Sequence, residues 1–505
     1  MLILGIELGS TRIKSVLIDE YGTVLATGAY AWSNKLIDGY WTYDLDDVWE
    51  GLRSSYAELD NHYFERYGTH ITTLDAFGIS GMMHGYLAFD EKDELLVPFR
   101  TWRNATTAPA ASELSTLFQF NMPQRWSTAH FYQALLNGET HVSRVAFLTT
   151  LSGYVHWQLT GEKVLGVGDA SGMFPITDGH FDKTMLEKLD LLLHQHGLSG
   201  SFEDKLPRVL CAGQNAGTLS EKGARLLDPT GRLQPGVLMC PPEGDAGTGM
   251  VATNSVAPST GNVSAGTSVF LMAVLEKNLS RPYEEIDIVT TPDGFPVAMV
   301  HCNNCTSALN NWVGLFCSFS EAMGIKLDTG DVLNRLFSLS RFADDDTGGI
   351  VASPFVSAEP ILKIEKGDPF VSWTPGTDMN LANFMQAQIF SCIAALRPGI
   401  DILRAEKNKL TSVCGHGGFF KTPEVGQLAM SALIEAPVTT FEHAGEGGAW
   451  GISLLALFAA KQENNLQIFL GRIFKQAKQS SLLADEIMVQ RFNSYYRTLV
   501  QKVKK

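Results

Sequence analysis

The sequence predicts an α/β protein of two similar domains, each built on a mixed sheet, and three observations lead there. The chain opens with three short apolar runs joined by tight turns and followed by a helical pattern. The opening motif returns later in the chain, with Gly266 standing 257 positions after Gly9. The 505 residues, 45% hydrophobic and 18% charged, suffice for two large cores and argue against a disordered chain.

Taken in order, residues 2–8 form an apolar run and Gly9, Ser10 and Thr11 a turn. Residues 13–18 form a second run, Tyr21 and Gly22 another turn, and 23–30 a third run, so the opening reads as a β-meander. From 44 to 67 the apolar positions Val48, Leu52, Tyr56, Leu59 and Tyr63 recur at helical spacing. A strand at 74–79, the loop Ser80-Gly-Met-Met-His-Gly85 and a small hairpin from 86–89 and 95–97 follow. Residues 263–274 repeat the opening pattern of strand, glycine-hydroxyl-hydroxyl turn and strand. A repeat of half the chain is too long for a solenoid unit and implies a pair of facing domains. The Pro/Ser/Gly segment 256–261 marks the boundary, giving an N-terminal domain of residues 1–255 and a C-terminal domain of 256–505. Such α/β pairs bind ligands in the cleft.

With 39 basic and 54 acidic residues the formal charge is −15, a field that repels nucleic acid and anionic membrane surfaces. Neither is expected as a partner, and a phosphate-bearing ligand must be held by local groups. The start lacks a basic segment before its apolar run, no run approaches the roughly 18 residues of a bilayer span, and the expected compartment is the cytoplasm. Seven scattered cysteines fit reduced thiols, and Cys302 with Cys305, lacking a second pair, reads as small apolar side chains. The oligomeric state stays open, a two-fold homodimer being the commonest closed assembly.

Several segments carry chemistry. A Gly-Ser-Thr turn between strands points backbone N–H groups and hydroxyls into one concavity, which suits phosphate oxygens. One copy alone is ordinary hairpin chemistry; two copies, at Gly9, Ser10 and Thr11 and at Gly266, Thr267 and Ser268, would grip a polyphosphate from both sides. Arg12 and Lys14 add positive charge beside the first. Asp245 stands in a glycine-rich stretch that opens a helix; it is either an N-cap or a general base accepting a hydroxyl proton as that oxygen attacks phosphorus. Gly417 and Gly418 end an apolar strand; taken alone they read as a tight strand-to-helix turn, and the alternative is a backbone that a flat ligand can approach, with Thr422 and Pro423 opening the next helix. The glycines of 444–449 precede an apolar helix and read as close packing. Trp102 and Trp126 are each able to stack on a sugar face, although core packing is the default for tryptophan. No Walker A motif and no Gly-x-Gly-x-x-Gly after the first strand occurs.

In order and spacing, Gly5 to Lys14, Ser80 to Gly85, Asp169-Ala-Ser-Gly172, Gly244-Asp245, Ser264 to Ser268, Pro354-Phe355 with Glu359-Pro360, and Gly417-Gly418 through Pro437 resemble the FGGY carbohydrate kinases, most of all the xylulokinase-like members. The likeness runs from residue 5 to about 460. It implies two actin-like, ribonuclease-H-like domains with a sugar and ATP·Mg²⁺ in the cleft, and ATP-dependent phosphorylation of a sugar hydroxyl, a ketose such as xylulose first. It implies that Asp245 is the catalytic base and that Met83 and His84, with Trp102 and Asp245, contact the sugar. The nucleotide would be held by Gly9, Ser10, Thr11 and Lys14, by Gly266, Thr267 and Ser268, and by Gly417, Gly418 and Lys421. Mg²⁺ would be held by Glu7 and Asp245.

Four departures bear on substrate and rate. Glu7 stands for the family's usual Asp, Ala246 for the Asn of xylulokinases, and Phe419 for a third glycine. Trp102-Arg-Asn-Ala-Thr106 replaces a segment that carries a carboxylate and an arginine near the sugar. Another ketose, a polyol or a sugar acid fits these changes, as does a weakened, non-catalytic relative. An ATPase of the actin or chaperone type is the remaining rival, and the Met-His-Gly loop speaks against it.

Overall fold

The computed structural model describes residues 1–441, 447–475 and 477–503. The glycine stretch singled out at 444–449 therefore lies partly outside the described residues, from 444 to 446. The chain divides into two compact units. The first comprises Met1–Val256, Asp287–Val297 and the described part of 445–476. The second comprises Ala257–Ile286, the described part of 298–444 and the described part of 477–505.

The first unit is built on a sheet whose strands run, in spatial order, Leu238–Met239, Ala76–Gly81, Ile3–Leu8, Arg12–Ile18 and Val24–Ala31, with Glu243–Gly244 pairing farther along Ala76–Gly81. The meander pairs antiparallel, whereas Ala76–Gly81 and Glu243–Gly244 run parallel to Ile3–Leu8 and to Ala76–Gly81 respectively. Three strands thus end at one edge: Glu7 lies beside Ser80, and Ser80 beside Glu243. The carboxyl edge of parallel strands is where α/β sheets place ligands.

The helix Leu45–Tyr67 buries Val48, Leu52, Tyr56 and Leu59, the stripe its spacing predicts. Asp44 caps its start by accepting from Asp46 N–H, and Gly68 closes it in the left-handed region at φ 73. Burial of each large side chain of this stripe is worth about 1.5–3 kcal/mol. On the sheet's other face the helix Gly447–Ala460 is apolar nearly all round, with Ala449, Ile452, Leu454, Leu455, Ala456 and Leu457 all buried, as befits a central helix. The small hairpin expected at 86–97 is only partly formed. Phe89 makes an isolated bridge to Leu95, but Leu87–Phe89 pairs along its length with the distant Phe147–Thr149. Local alternation carries no record of that long-range partner.

The second unit repeats the plan. Thr260–Ala265 and Val269–Val274 form an antiparallel hairpin, Ser412–His416 lies parallel to the first of them, and Val438–Phe441 parallel to that. Gln479–Leu482 closes the edge antiparallel. Among the described residues no helix is long and apolar enough to cross a membrane.

Candidate active site

In the first unit the sugar-contact and general-base candidates converge. Asp245 is the first residue of the helix Asp245–Val251, directly after Glu243–Gly244. It is not an N-cap: Gly244 holds that position, and no side chain caps the helix. Instead Asp245 Oδ1 accepts from Ala246 N–H at 2.9 Å and from Met83 N–H at 3.3 Å, which brings the helix start and the Met-His-Gly loop together. A Cβ at Gly244 would lie 2.2 Å from Met83 Cγ, so only glycine permits this approach. Met83 is buried, and His84 beside it adopts φ 69, uncommon outside glycine. Gly172 O can only accept, so His84 Nδ1–H donates to it at 3.1 Å and the tautomer is set. The ring stacks on Trp126.

Removal from water pushes the Asp245 carboxyl up to about 6, against the pull of the Met83 and Ala246 N–H groups. Two further carboxylates lie behind it. Asp169 is wholly buried; its Oδ2 accepts from Thr150 Oγ1 at 2.7 Å and from Ser152 Oγ, while Oδ1 has no partner among the described residues. Burial raises it to about 7. Glu243 accepts from the N–H groups of Gly168 at 3.2 Å and Asp169 at 3.0 Å, and burial together with the Asp169 charge raises it to about 8. Neither was assigned a role from sequence, although each interrupts an apolar neighbourhood.

Glu7 faces the same helix. A Cβ at Gly448 would sit 2.6 Å from Glu7 Oε1 and 2.9 Å from Thr248 Oγ1, so both oxygens crowd one point, a single helical turn beyond Asp245. Thr248 Oγ1 in turn is 2.9 Å from Ser80 Oγ. Lys14 lies directly across the hairpin from Glu7 and shares its sheet face.

The turn at Gly9, Ser10 and Thr11 is held by residues that sequence reasoning missed. Trp32 Nε1–H donates to Gly9 O at 2.7 Å, Tyr43 O–H to Ser10 O at 2.6 Å, and Trp32 N–H to Thr11 O at 3.1 Å. The two rings stack at 4.2 Å.

Trp102 is 37% exposed. Its neighbours are committed elsewhere. Asn104 bonds the main chain of Trp41 in both directions, and Arg103 lies over the Trp41 ring and donates to Asn34 Oδ1 at 3.0 Å. The side chain of Asn104 therefore tethers a hairpin.

In the second unit, the turn at Gly266, Thr267 and Ser268 adjoins the Gly417-Gly418 loop. Gly417 has φ 99, and a Cβ there would fall 2.4 Å from Ala265 O, at the end of the strand leading into the turn. Gly418–Phe420 forms a 3₁₀ turn and Lys421 is exposed. Thr422 is not the N-cap its position suggested. The helix begins at Val425, with Glu424 at φ 68 before it, and Thr422 Oγ1 donates to Asn334 Oδ1 instead.

Two family models match most of the chain. The FGGY N-terminal domain matches residues 2–230, and the FGGY C-terminal domain matches residues 261–460. The chain belongs to the FGGY family of carbohydrate kinases. Like that family it transfers a phosphoryl group from ATP to a sugar hydroxyl. A xylulose kinase of Haemophilus influenzae is 22% identical over 481 residues, covering 90% of each chain. A xylulose kinase structure from Lactobacillus acidophilus superposes with a TM-score of 0.80 at 15% identity, over 100% of this chain and 98% of that one. A gluconate kinase from the same organism scores 0.79 at 15% identity, over 100% and 97%. The FGGY kinase thus has the two-domain, actin-like fold, and the fold is shared by enzymes named for a ketose and for a sugar acid.

Proposed function

We propose that this FGGY kinase phosphorylates a ketose, xylulose first, with Asp245 as general base. The observation carrying the proposal is the position of Asp245: first in its helix, at the carboxyl edge of parallel strands, with Met83 N–H on its carboxylate and His84 next in sequence. Met83, His84 and Trp102 receive the sugar, and Asp245 takes the hydroxyl proton as the oxygen attacks the γ-phosphorus. Tying His84 Nδ1–H to Gly172 fixes the orientation of the ring beside Met83. N–H groups and hydroxyls at Gly9, Ser10, Thr11, Gly266, Thr267 and Ser268, with Lys14, stabilise the charge spread over the phosphoryl oxygens. Gly417, Gly418 and Lys421 take the adenosine end. In this assignment residues 1–255 carry the sugar and the base, and 256–505 the adenosine contacts.

Glu7 and Asp245 suit magnesium. Their oxygens are the hard donors that this ion prefers, and these two carboxylates would hold it. When bound, the ion neutralises charge on the β- and γ-phosphates. The cytoplasm is the compartment that fits seven free cysteines.

A second substrate class, a sugar acid or polyol, is favoured by one observation: segment 102–106 carries no carboxylate, and the Asn104 amide is bonded to the Trp41 main chain on both its oxygen and its nitrogen. Coupled ADP-release assays across ketoses, polyols and aldonates decide between them. Turnover confined to aldonates or polyols would reject the ketose assignment, and an Asp245→Asn variant with near wild-type turnover would reject the base.

A further inference from the structure

We propose that Trp32 and Tyr43 are positioning residues for the triphosphate: by drawing the Gly9 and Ser10 carbonyls to one side, they aim the Ser10 and Thr11 N–H groups together at the phosphate oxygens. The inference rests on the assignment of the 9–11 turn to phosphate binding.

A trans peptide is planar, and its C=O and N–H point in opposite directions. Fixing the Gly9 carbonyl on the Trp32 indole therefore fixes the Ser10 N–H on the far side, and fixing the Ser10 carbonyl on the Tyr43 hydroxyl does the same for the Thr11 N–H. Among the described residues no acceptor takes either N–H. The Gly9 N–H is spent on Arg12 O at 3.0 Å and the Thr11 carbonyl on Trp32 N–H at 3.1 Å, so the turn cannot easily flip. Successive N–H groups presented to one side form an anion-binding concavity.

Both side chains suit this task. Tyr43 is buried, which raises its hydroxyl to about 12 and keeps it a donor throughout the working pH range. Its ring lies on Trp32 at 4.2 Å and 28°, so each aromatic limits the other's movement. Both lie outside the turn and their hydrogen bonds to it are made to its carbonyls, which suits them to position the phosphate-binding groups rather than to contact phosphate themselves.

Trp32→Phe keeps the stack but loses the indole N–H, and Tyr43→Phe keeps the ring but loses the hydroxyl. Titration calorimetry with ATP, ADP and adenosine, together with KM for the sugar, provides the test, and Trp32→Phe at a partly exposed position covers the case in which Tyr43→Phe fails to fold. Loss of one such hydrogen bond should weaken ATP and ADP about five-fold, with adenosine affinity and sugar KM unchanged. Unchanged ATP affinity in Trp32→Phe, or equal weakening of ATP and adenosine, would overturn the proposal. Thr11→Ala, which removes a hydroxyl from the turn itself, separates the two levels. If it weakens ATP while Trp32→Phe does not, the turn binds phosphate and the aromatic pair is incidental. If Thr11→Ala binds ATP like wild type while Trp32→Phe weakens it, the turn holds phosphate through its N–H groups, as proposed; if neither variant weakens ATP, the phosphate assignment of the turn falls and the positioning role with it.

Discussion

The two glycine-hydroxyl-hydroxyl turns have the same hydrogen-bond plan executed with different parts. In the first unit, side chains from beyond the hairpin hold the carbonyls of Gly9 and Ser10. In the second, the main chain does most of this work: Gly266 O accepts from Thr306 N–H at 3.0 Å and Thr306 Oγ1 at 2.7 Å, and Thr267 O from Cys305 N–H at 3.0 Å. The neighbouring strand ends differ too. In the first unit they lead to Glu7, Met83 and Asp245, whereas in the second Ser412–His416 leads to Gly417 and Gly418, which carry no functional side chain. On the proposed assignment, a duplicated glycine-hydroxyl-hydroxyl hairpin is joined to chemistry in one unit and to shape in the other.

The largest test of that contrast is Asp245→Asn. If the first unit does the chemistry, turnover should fall about 10²–10⁴-fold while ATP affinity holds, measured by coupled assay and calorimetry. Next is Gly417→Ala. The residue stands at φ 99 and ψ 179, which an L side chain rarely adopts, and its Cβ would meet Ala265 O at 2.4 Å. Strain of about 1–3 kcal/mol is expected, and should raise KM for ATP roughly ten-fold while kcat at saturating ATP changes far less. A kcat loss as deep as that of Asp245→Asn would break the division of labour.

What sequence reasoning reached and missed follows the same line. The turns were legible because two glycine-hydroxyl-hydroxyl triplets sit between apolar runs in matching order, and Asp245 because it stands among glycines within a known pattern. Trp32 and Tyr43 were not, since no spacing rule connects an aromatic ring to a carbonyl more than twenty residues away. Thr422 looked like an N-cap by type, yet the Gly418–Phe420 3₁₀ turn and the left-handed Glu424 delay the helix to Val425. Asn104 looked sugar-facing by its place in a motif, but tertiary contacts committed it to Trp41.

Glu359 offers a smaller test on the second unit. It is buried and accepts from Asn303 N–H at 3.2 Å, Asn304 N–H at 3.0 Å and Asn304 Nδ2 at 2.9 Å, which braces the segment leading to Cys305 and Thr306. Glu359→Gln replaces one acceptor by a donor that meets other donors. A stability loss of about 1–3 kcal/mol in chemical denaturation is expected, with a modest rise in KM for ATP. If ATP affinity instead matches wild type in a folded variant, the brace does not reach the second turn and the parallel with Trp32 and Tyr43 is weaker than drawn.

The last prediction isolates one contribution to the first unit's response to acid. His130, in the first unit, is wholly buried with neither ring nitrogen bonded among the described residues, and burial, aided by Arg100, holds it down at about 3. Below its unfolded value of 6.5, the unfolded chain takes up a proton that the folded chain refuses, so this group costs stability as pH falls from 6.5 toward 3. Asp169, Glu243 and Asp245 act in the opposite sense, because carboxyls raised on folding bind protons in the folded state first. A melting curve of the wild type alone therefore mixes opposing contributions, and the informative quantity is a difference. His130→Phe deletes one contribution and leaves the carboxyls in place, and any packing cost of the larger ring is the same at every pH. Relative to wild type, the variant should gain about 2 kcal/mol between pH 7.5 and pH 5, with no gain above pH 7. A gap independent of pH would mean that His130 takes up its proton in the folded protein as readily as in the unfolded chain, with a counter-charge or water reaching it through the first unit's core.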